Sequence, residues 1–401
     1  MPYSRQLVAR ALVGSPLRQP LFGCLFWAGM LLLLGLAFLG HLTLWVFQPL
    51  QASATFAAAA LLGTLASLPV MALLWYLDRR ERESLWLFGG AVLWGAAIST
   101  GVSAILNALG FGFIAIGLEV AGGLDAETAA ELLAAALVAP PVEEMAKGLA
   151  LLVLFWFLRA EFDNVRDGII YGGLVGVGFN IAEYALYVMQ GYLESGRAPF
   201  AEQFAGRFVF LGLNGHMLWA ALTGAGVGLA RQTQRGCLRL AAPMGGYSVA
   251  TLAHALNNSV GIFALAFFLY LFGFDIEGGL AAVPAPALWG AAALMNILVQ
   301  GFPYILLLVL LWLSARWERD VIRMYLADEV GGSVTAEEYE CIARDRRFGD
   351  ARRVRGVAAR IANAQNELAF RKWHVAREGG DPNADPLVAA WRQDIAMLRD
   401  R

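Results

Sequence analysis

Long apolar segments alternate with short polar connections along most of the chain. A helix needs roughly 20 apolar residues to cross a hydrocarbon core about 30 Å thick. The pattern therefore predicts an all-α fold, a polytopic membrane helix bundle surrounded by a lipid bilayer. The eight predicted spans cover residues 20–48, 54–78, 86–117, 131–158, 168–193, 208–230, 240–272 and 286–315.

The two ends of the chain differ from this pattern. Residues 1–19 form a predicted N-terminal segment ahead of a transmembrane helical domain over 20–315. Residues 316–401 are highly charged, with a capping signal at Thr335–Glu338 and apolar positions at helical spacing. These positions predict a small cytoplasmic helical C-terminal domain and are Val354, Val357, Ile361 and Leu368.

Arginines are concentrated in every second connection between the spans. The other connections contain only Arg197 and Arg207. Because basic residues are retained on the cytoplasmic side, the alternation places both termini in the cytoplasm of a multi-pass protein of the cell (inner or plasma) membrane. The connections poor in arginine, predicted to lie outside, are residues 49–53, 118–130, 194–207 and 273–285.

The overall composition excludes several classes of function. The chain has 401 residues, of which 59% are hydrophobic and 15% charged, and a net charge of −2. No basic field indicates a nucleic-acid partner. The three cysteines form neither a CxxC metal pattern nor a disulfide framework, and the sequence leaves the oligomeric state open.

Seven of the polar residues inside the predicted spans are candidates for a functional site. Each ionisable group there costs roughly 2.5–3.5 kcal/mol on the insertion scale, so such groups mark function by default. Counted from the cytoplasmic ends of their spans, four of them lie at roughly 21–24 Å, in the outer half of the membrane. We therefore expect one shared polar site, formed by Glu143, Glu144, Lys147, Glu183, His216, His254 and Asn258.

The spacing within the spans supports a shared site. Glu143 and Lys147 lie four residues apart, as do His254 and Asn258, so each pair faces one side of its helix. Pro140 and the proline after it are expected to break the helix just before the carboxylates. Small residues would let the helices approach closely; they are Gly168, Gly172, Gly176, Gly224 and Gly228.

Two histidines and a carboxylate from three helices are the donor set of a hydrolytic zinc site. We expect Glu183, His216 and His254 to hold a divalent metal, with zinc as the first choice. Glu143, or Glu144 as second choice, would accept a proton from water. The alternative is a polar network that only holds the helices together.

Four sequence blocks within residues 131–262 resemble the PrsW family of intramembrane proteases. Pro141–Lys147 is similar to its EExxK motif, Phe179–Glu183 to its FxxxE motif, and the segments at His216 and His254 to its later histidine motifs. The last block also resembles the HxxxN motif of the related CAAX prenyl proteases. One departure is Tyr184, where family members usually have Asn.

The resemblance implies an intramembrane endopeptidase acting on a single-pass membrane protein, such as an anti-sigma factor, near the outer face. Glu143 or Glu144 would activate water, while Lys147 and Asn258 would stabilise the oxyanion. Glu183, His216 and His254 would hold a metal or, in a metal-free mechanism, polarise the scissile carbonyl. Catalysis is thus expected within residues 131–262.

Two other functions remain open at this stage. Secondary transporters also place charged residues at mid-membrane and break helices there, although the polar blocks are not repeated in spans one to three. An inactive relative that binds membrane proteins is the third possibility, and it would show binding without cleavage.

Overall fold

The computed structural model describes residues 15–45, 49–80, 84–121, 126–159, 161–274, 279–344 and 356–400. The structure is 88% helical, and no strand occurs in these ranges. The α-helices are α1 Pro20–Trp45, α2 Leu50–Leu77, α3 Leu85–Leu93, α4 Thr100–Val120, α5 Ala126–Leu133, α6 Ala139–Phe157, α7 Val165–Ser195, α8 Phe200–Phe208, α9 His216–Gln232, α10 Gly236–Ser259, α11 Gly261–Leu271, α12 Ala285–Leu326, α13 Ala336–Arg344, α14 Val357–Arg377 and α15 Pro386–Arg399.

The chain is a multi-pass membrane protein. Among the described residues, 5 helices are long and apolar enough to cross a bilayer, or up to 7 if two bent helix pairs each count as one span. The predicted number of eight spans is therefore not reached. The remaining segment, residues 131–158, carries four charged residues, which lower its hydropathy: Glu131, Glu143, Glu144 and Lys147. Its assignment as a span stays a prediction.

Helix α7 is the central helix of the bundle. Its most apolar window is 89% buried, whereas that of α1 is only 6% buried. Many large side chains of α1, such as Leu25 and Leu31, are exposed, as expected of a helix that faces lipid. Asn164 caps the start of α7, and Asp167 completes a capping box with it.

Four predicted spans are not continuous α-helices. In the segment 86–117, a π-helix over Trp94–Ser99 separates α3 from α4. The segment 208–230 is divided by a turn at Val209–Gly212, so that His216 is the first residue of α9. The segment 240–272 is bent by 47° between α10 and α11. Before the two prolines, the predicted break takes the form of a π-helix over Ala134–Val138 that joins α5 to α6. The helices bend where glycine or proline interrupts regular hydrogen bonding.

The chain divides into two compact units. The first comprises Met1–Trp75 and Ser84–Leu308, and the second comprises Tyr76–Glu83 and Val309–Arg401. The predicted domain boundary at residue 315 lies within α12, seven residues after this division.

The second unit has a core of its own. Leu368, Val388 and Ile395 are fully buried there. The predicted capping signal is confirmed: the Thr335 N–H donates to Glu338, and the Glu338 N–H donates to the Thr335 hydroxyl. Val354, one of the positions used for the prediction, lies outside the described residues.

Candidate functional site

Three side chains from three helices of the first unit approach one point. Glu143 lies on α6, His216 begins α9 and His254 lies on α10. One potential ligand atom of each lies within 4.8 Å of the other two. Oε2 of Glu143 is 3.9 Å from Nδ1 of His216 and 3.9 Å from Nε2 of His254. All three residues are buried.

The hydrogen bonds of His216 fix its tautomer. Its Nδ1 lies 2.8 Å from Nζ of Lys147, and its Nε2 lies 2.5 Å from Oε2 of Glu183. An ammonium group can only donate, so Nδ1 accepts and Nε2 carries the proton. The imidazole is therefore held between a cation on one side and a carboxylate on the other.

The hydrogen bond of His254 fixes its tautomer in the same way. Its Nδ1 lies 3.1 Å from Oε1 of Glu144. Because an ionised carboxylate only accepts, Nδ1 carries the proton and Nε2 presents a lone pair toward Glu143. Each histidine thus has a carboxylate on the nitrogen that faces away from Glu143. Such carboxylate–histidine pairs orient metal-binding imidazoles in other proteins.

Glu143 is the carboxylate that lacks a cation. Glu144 pairs with Lys147 at 2.5 Å and Glu183 pairs with Arg207 at 3.1 Å. Glu143 receives the amide of Asn107 on Oε1 at 3.0 Å, while its buried Oε2 has no hydrogen-bond partner in the described part of the chain. With neutral imidazoles, these three carboxylates and two cations leave one negative charge at the point where the histidines converge.

Aromatic rings enclose the two histidines. The Phe179 ring lies 4.6 Å from that of His216 and also 4.6 Å from Nζ of Lys147. Trp219 stacks on His254 with ring centroids 4.0 Å apart, and its indole N–H donates to Gln300. Rings on both sides limit the rotation of the imidazoles.

Asn258 does not join this network. Its Nδ2 donates to the carbonyl of Ala135 at 2.9 Å. Ala135 lies in the π-helix, and Pro140 cannot supply a backbone N–H to it. Asn258 therefore satisfies a carbonyl that the proline leaves without its helical donor.

The structure thus brings together six of the seven predicted polar residues. Three further residues of the site were not predicted from the sequence: Asn107, Arg207 and Gln300. Asn107 and Gln300 are polar residues inside apolar spans, which was a usable signal. Arg207 was noticed only as one of two arginines in the connections predicted to lie outside.

Comparison with known proteins agrees with the sequence motifs. Residues 83–276 match the model of the PrsW family intramembrane metalloprotease. The match includes every predicted site residue, and the family resemblance is confirmed. Searches of curated proteins and of solved structures give no match.

Proposed function

We propose that the chain cleaves a single-pass membrane protein near the outer face of the membrane. The proposal starts from the match of residues 83–276 to the PrsW family of intramembrane metalloproteases, which implies a hydrolase of the protease class. An anti-sigma-factor-like protein is the proposed substrate class. The convergence of Glu143, His216 and His254 carries this proposal. The predicted depth of these residues supports a cut on the outer side.

The same three residues suit a divalent metal ion. Two neutral imidazole nitrogens and a carboxylate oxygen form the donor set of hydrolytic zinc sites, and the unbalanced charge on Glu143 favours a cation. The Nδ1 atom of His216 accepts from Lys147, so an ion can use this nitrogen only when Lys147 donates to Glu144 alone. Bound zinc would act as a Lewis acid that activates water and polarises the carbonyl.

The role of Glu183 is revised in this proposal. From the sequence it was expected to be a metal ligand together with the two histidines. In the structure it binds Nε2 of His216, on the side of the ring that faces away from Glu143. We therefore assign Glu183 to the orientation of His216 and Glu143 to the ligand set.

The proton of the attacking water has two proposed acceptors. Glu143 is the first, because its free Oε2 faces both imidazoles. Where an ion occupies that oxygen, Glu144 is the carboxylate that remains. The water oxygen adds to the scissile carbonyl carbon, and the proton passes through the carboxylate to the leaving amine nitrogen.

Lys147 and Asn258 are proposed to stabilise the oxyanion. Lys147 contributes its positive charge beside His216. Asn258 has two amide N–H groups, of which one donates to Ala135. The second is available to a substrate carbonyl.

The test is cleavage of a candidate single-pass substrate by the purified protein in bilayers. Glu143→Gln and His254→Ala should each lower kcat by at least about 100-fold, the usual contribution of a general base or of its partner. Matched controls are Glu119→Gln, an exposed position on α4, and His41→Ala, whose Nε2 contacts only the Ala97 carbonyl among the described contacts.

Chelation separates the two versions of the mechanism. Loss of activity with a chelator and its recovery with zinc would support the metal centre. Activity that survives chelation but not Glu143→Gln would support the metal-free mechanism. Full activity of both Glu143→Gln and His254→Ala would refute the site assignment.

A further inference from the structure

Arg207 contacts the candidate site from outside the four motif blocks. It lies at the end of α8, and its guanidinium NH2 is 3.1 Å from Oε2 of Glu183. The same carboxylate oxygen receives Nε2–H of His216 at 2.5 Å. Arg207, Glu183 and His216 therefore form a continuous chain of charge-assisted contacts that ends at the centre.

Both the side chain and the backbone of Arg207 are attached to one face of α7. The guanidinium lies over the Tyr187 ring, 4.8 Å from its centroid. The carbonyl of Arg207 accepts from Nδ2 of Asn180 at 3.4 Å. Asn180, Glu183 and Tyr187 follow each other at helical spacing and so share this face. The planar guanidinium can stack on the ring and bind the carboxylate at once.

A strained turn connects Arg207 to His216. Phe210 and Leu211 have φ angles of 55° and 59°, in the left-handed region that bulky residues avoid. Such conformations cost on the order of 1–3 kcal/mol each and persist only when the surroundings impose them. Asn214 secures the turn through a hydrogen bond to the Gly206 carbonyl at 2.9 Å.

The turn brings two distant side-chain positions to one carboxylate. It bends the chain by 45° between the segments Phe200–Gly212 and His216–Gln232, and Arg207 before it and His216 after it both reach Glu183. A relaxed, longer connection would not fix the two groups at the same oxygen. The strained residues Phe210 and Leu211 thus lie between the two residues, Arg207 and His216, that contact Glu183.

We propose that Arg207 is a positioning residue for the reaction. It holds Glu183 against Nε2 of His216, so that Nδ1 stays directed at Glu143 and His254. This inference rests on the proposed function. Removing such an outer partner typically lowers metal affinity or activity by about 10–100-fold.

Two readouts test this role in the whole protein: kcat and KM for cleavage, and affinity for zinc alone. Arg207→Gln should lower kcat and zinc affinity by about 10–100-fold and leave KM unchanged. Arg207→Lys, which keeps the charge but not the planar fork, should fall between Arg207→Gln and the wild type. Arg197→Gln is the matched control, because Arg197 pairs with Glu202 at an exposed position.

A double-mutant cycle shows whether Arg207 acts through Glu183. In a Glu183→Gln background, Arg207→Gln should cause little further loss, because the group it positions is gone. A full additional loss in that background would overturn the proposal. Equality of Arg207→Gln and Arg197→Gln in both readouts would also overturn it.

Failure of the proposed function gives a different result. A wild-type chain that binds zinc but cleaves no substrate would contradict the protease assignment. The double-mutant cycle, measured by zinc affinity, would still decide the role of Arg207. If the wild-type chain cleaves its substrate without zinc, the kcat values of the same variants decide the role of Arg207.

Discussion

Lys147 is a buried ammonium group that neutralises a buried carboxylate. It is 1% exposed, and its partner Glu144 is fully buried. Breaking a buried ion pair by removing one partner leaves an uncompensated charge, whereas replacing both partners with apolar residues is often neutral. The pair therefore makes the stability of the site depend on both groups together.

Lys147→Met should destabilise the protein by about 3–5 kcal/mol, because Glu144 loses its cation. Adding Glu144→Leu should recover most of that loss. Unfolding in detergent, followed by circular dichroism, measures the free energy of each variant. If Lys147→Met alone is as stable as the wild type, Glu144 is not ionised in the folded protein.

Individual site residues could be predicted from the sequence only where polarity was unusual. Glu143, His216 and His254 were identified because charged or ionisable groups inside a membrane are costly. The pairing of each imidazole nitrogen with its partner was not predicted, because the tautomer of His216 depends on contacts with two other helices. The distinction between Glu143 and Glu183 as a ligand needs side-chain geometry, which spacing along the chain does not provide.

Helices α7 and α9 pack with their backbones in close contact. A Cβ added at Gly176 would lie 2.2 Å from the carbonyl oxygen of His216, and one at Gly168 would lie 2.0 Å from that of Gly224. The predicted role of the small residues at this contact agrees with these distances. Glycine at these positions lets Glu183 on α7 reach His216 on α9.

Gly176→Ala should destabilise the bundle by about 1–3 kcal/mol through overpacking and displace His216, which would lower kcat. Gly112→Ala is the matched control, since a Cβ there meets nothing within 4 Å. The control should instead stabilise its helix by about 0.5–1 kcal/mol. Equal effects of the two substitutions on unfolding and cleavage would argue against this packing.

Asp385 links two helices of the second unit. Its side chain caps α15 by accepting from the N–H groups of Leu387 and Val388, and Arg371 of α14 binds both carboxylate oxygens. Burial alone would raise the pKa of Asp385, but the Arg371 guanidinium and the backbone N–H donors lower it below its usual 3.8. A lowered pKa contributes stability above the unfolded value, and that stability is lost as the pH falls through the folded value.

Protection of α14 and α15 from hydrogen exchange should therefore decrease below a pH of about 4. Asp385→Asn keeps a good cap but loses the ion pair with Arg371. In this variant, α14 and α15 should be less protected at neutral pH, and their protection should depend less on acid. Hydrogen exchange is measured in the whole protein, peptide by peptide, and is corrected for the pH dependence of the intrinsic exchange rates. The control is Asp400→Asn, an exposed position; identical profiles for the two variants would refute the interpretation.

The helices themselves could be predicted more fully than their interruptions. Apolar length identified the helices that are long and apolar enough to cross a bilayer, and the capping signal identified the start of α13. The turn before His216 was missed, although Gly212 and Gly215 lie within the segment predicted as a continuous span. Hydropathy averaged over a span does not detect a local change of backbone direction.

The predicted sidedness of the chain in the membrane can be tested with its cysteines. Three cysteines are exposed: Cys24, Cys237 and Cys341. The alternation of arginines places Cys237 and Cys341 in the cytoplasm. Residues 194–207 are predicted on the opposite side, which is also the side nearer the candidate site.

A membrane-impermeant maleimide should label Cys237 and Cys341 in inside-out vesicles but not in intact cells. A Ser195→Cys variant should show the reverse pattern, because Ser195 ends α7 on the predicted outer side. Labelling is measured by the mass shift of each peptide. Modification of Cys341 in intact cells would invert the topology and move the proposed cut to the other face.

The central claim is that Glu143, His216 and His254 form one metal centre. X-ray absorption at the zinc edge of the purified, zinc-loaded protein measures this most directly. We expect scattering from two imidazoles and from oxygen ligands, with one imidazole lost in His254→Ala. A zinc spectrum without imidazole scattering, or one that is unchanged in His254→Ala, would contradict it.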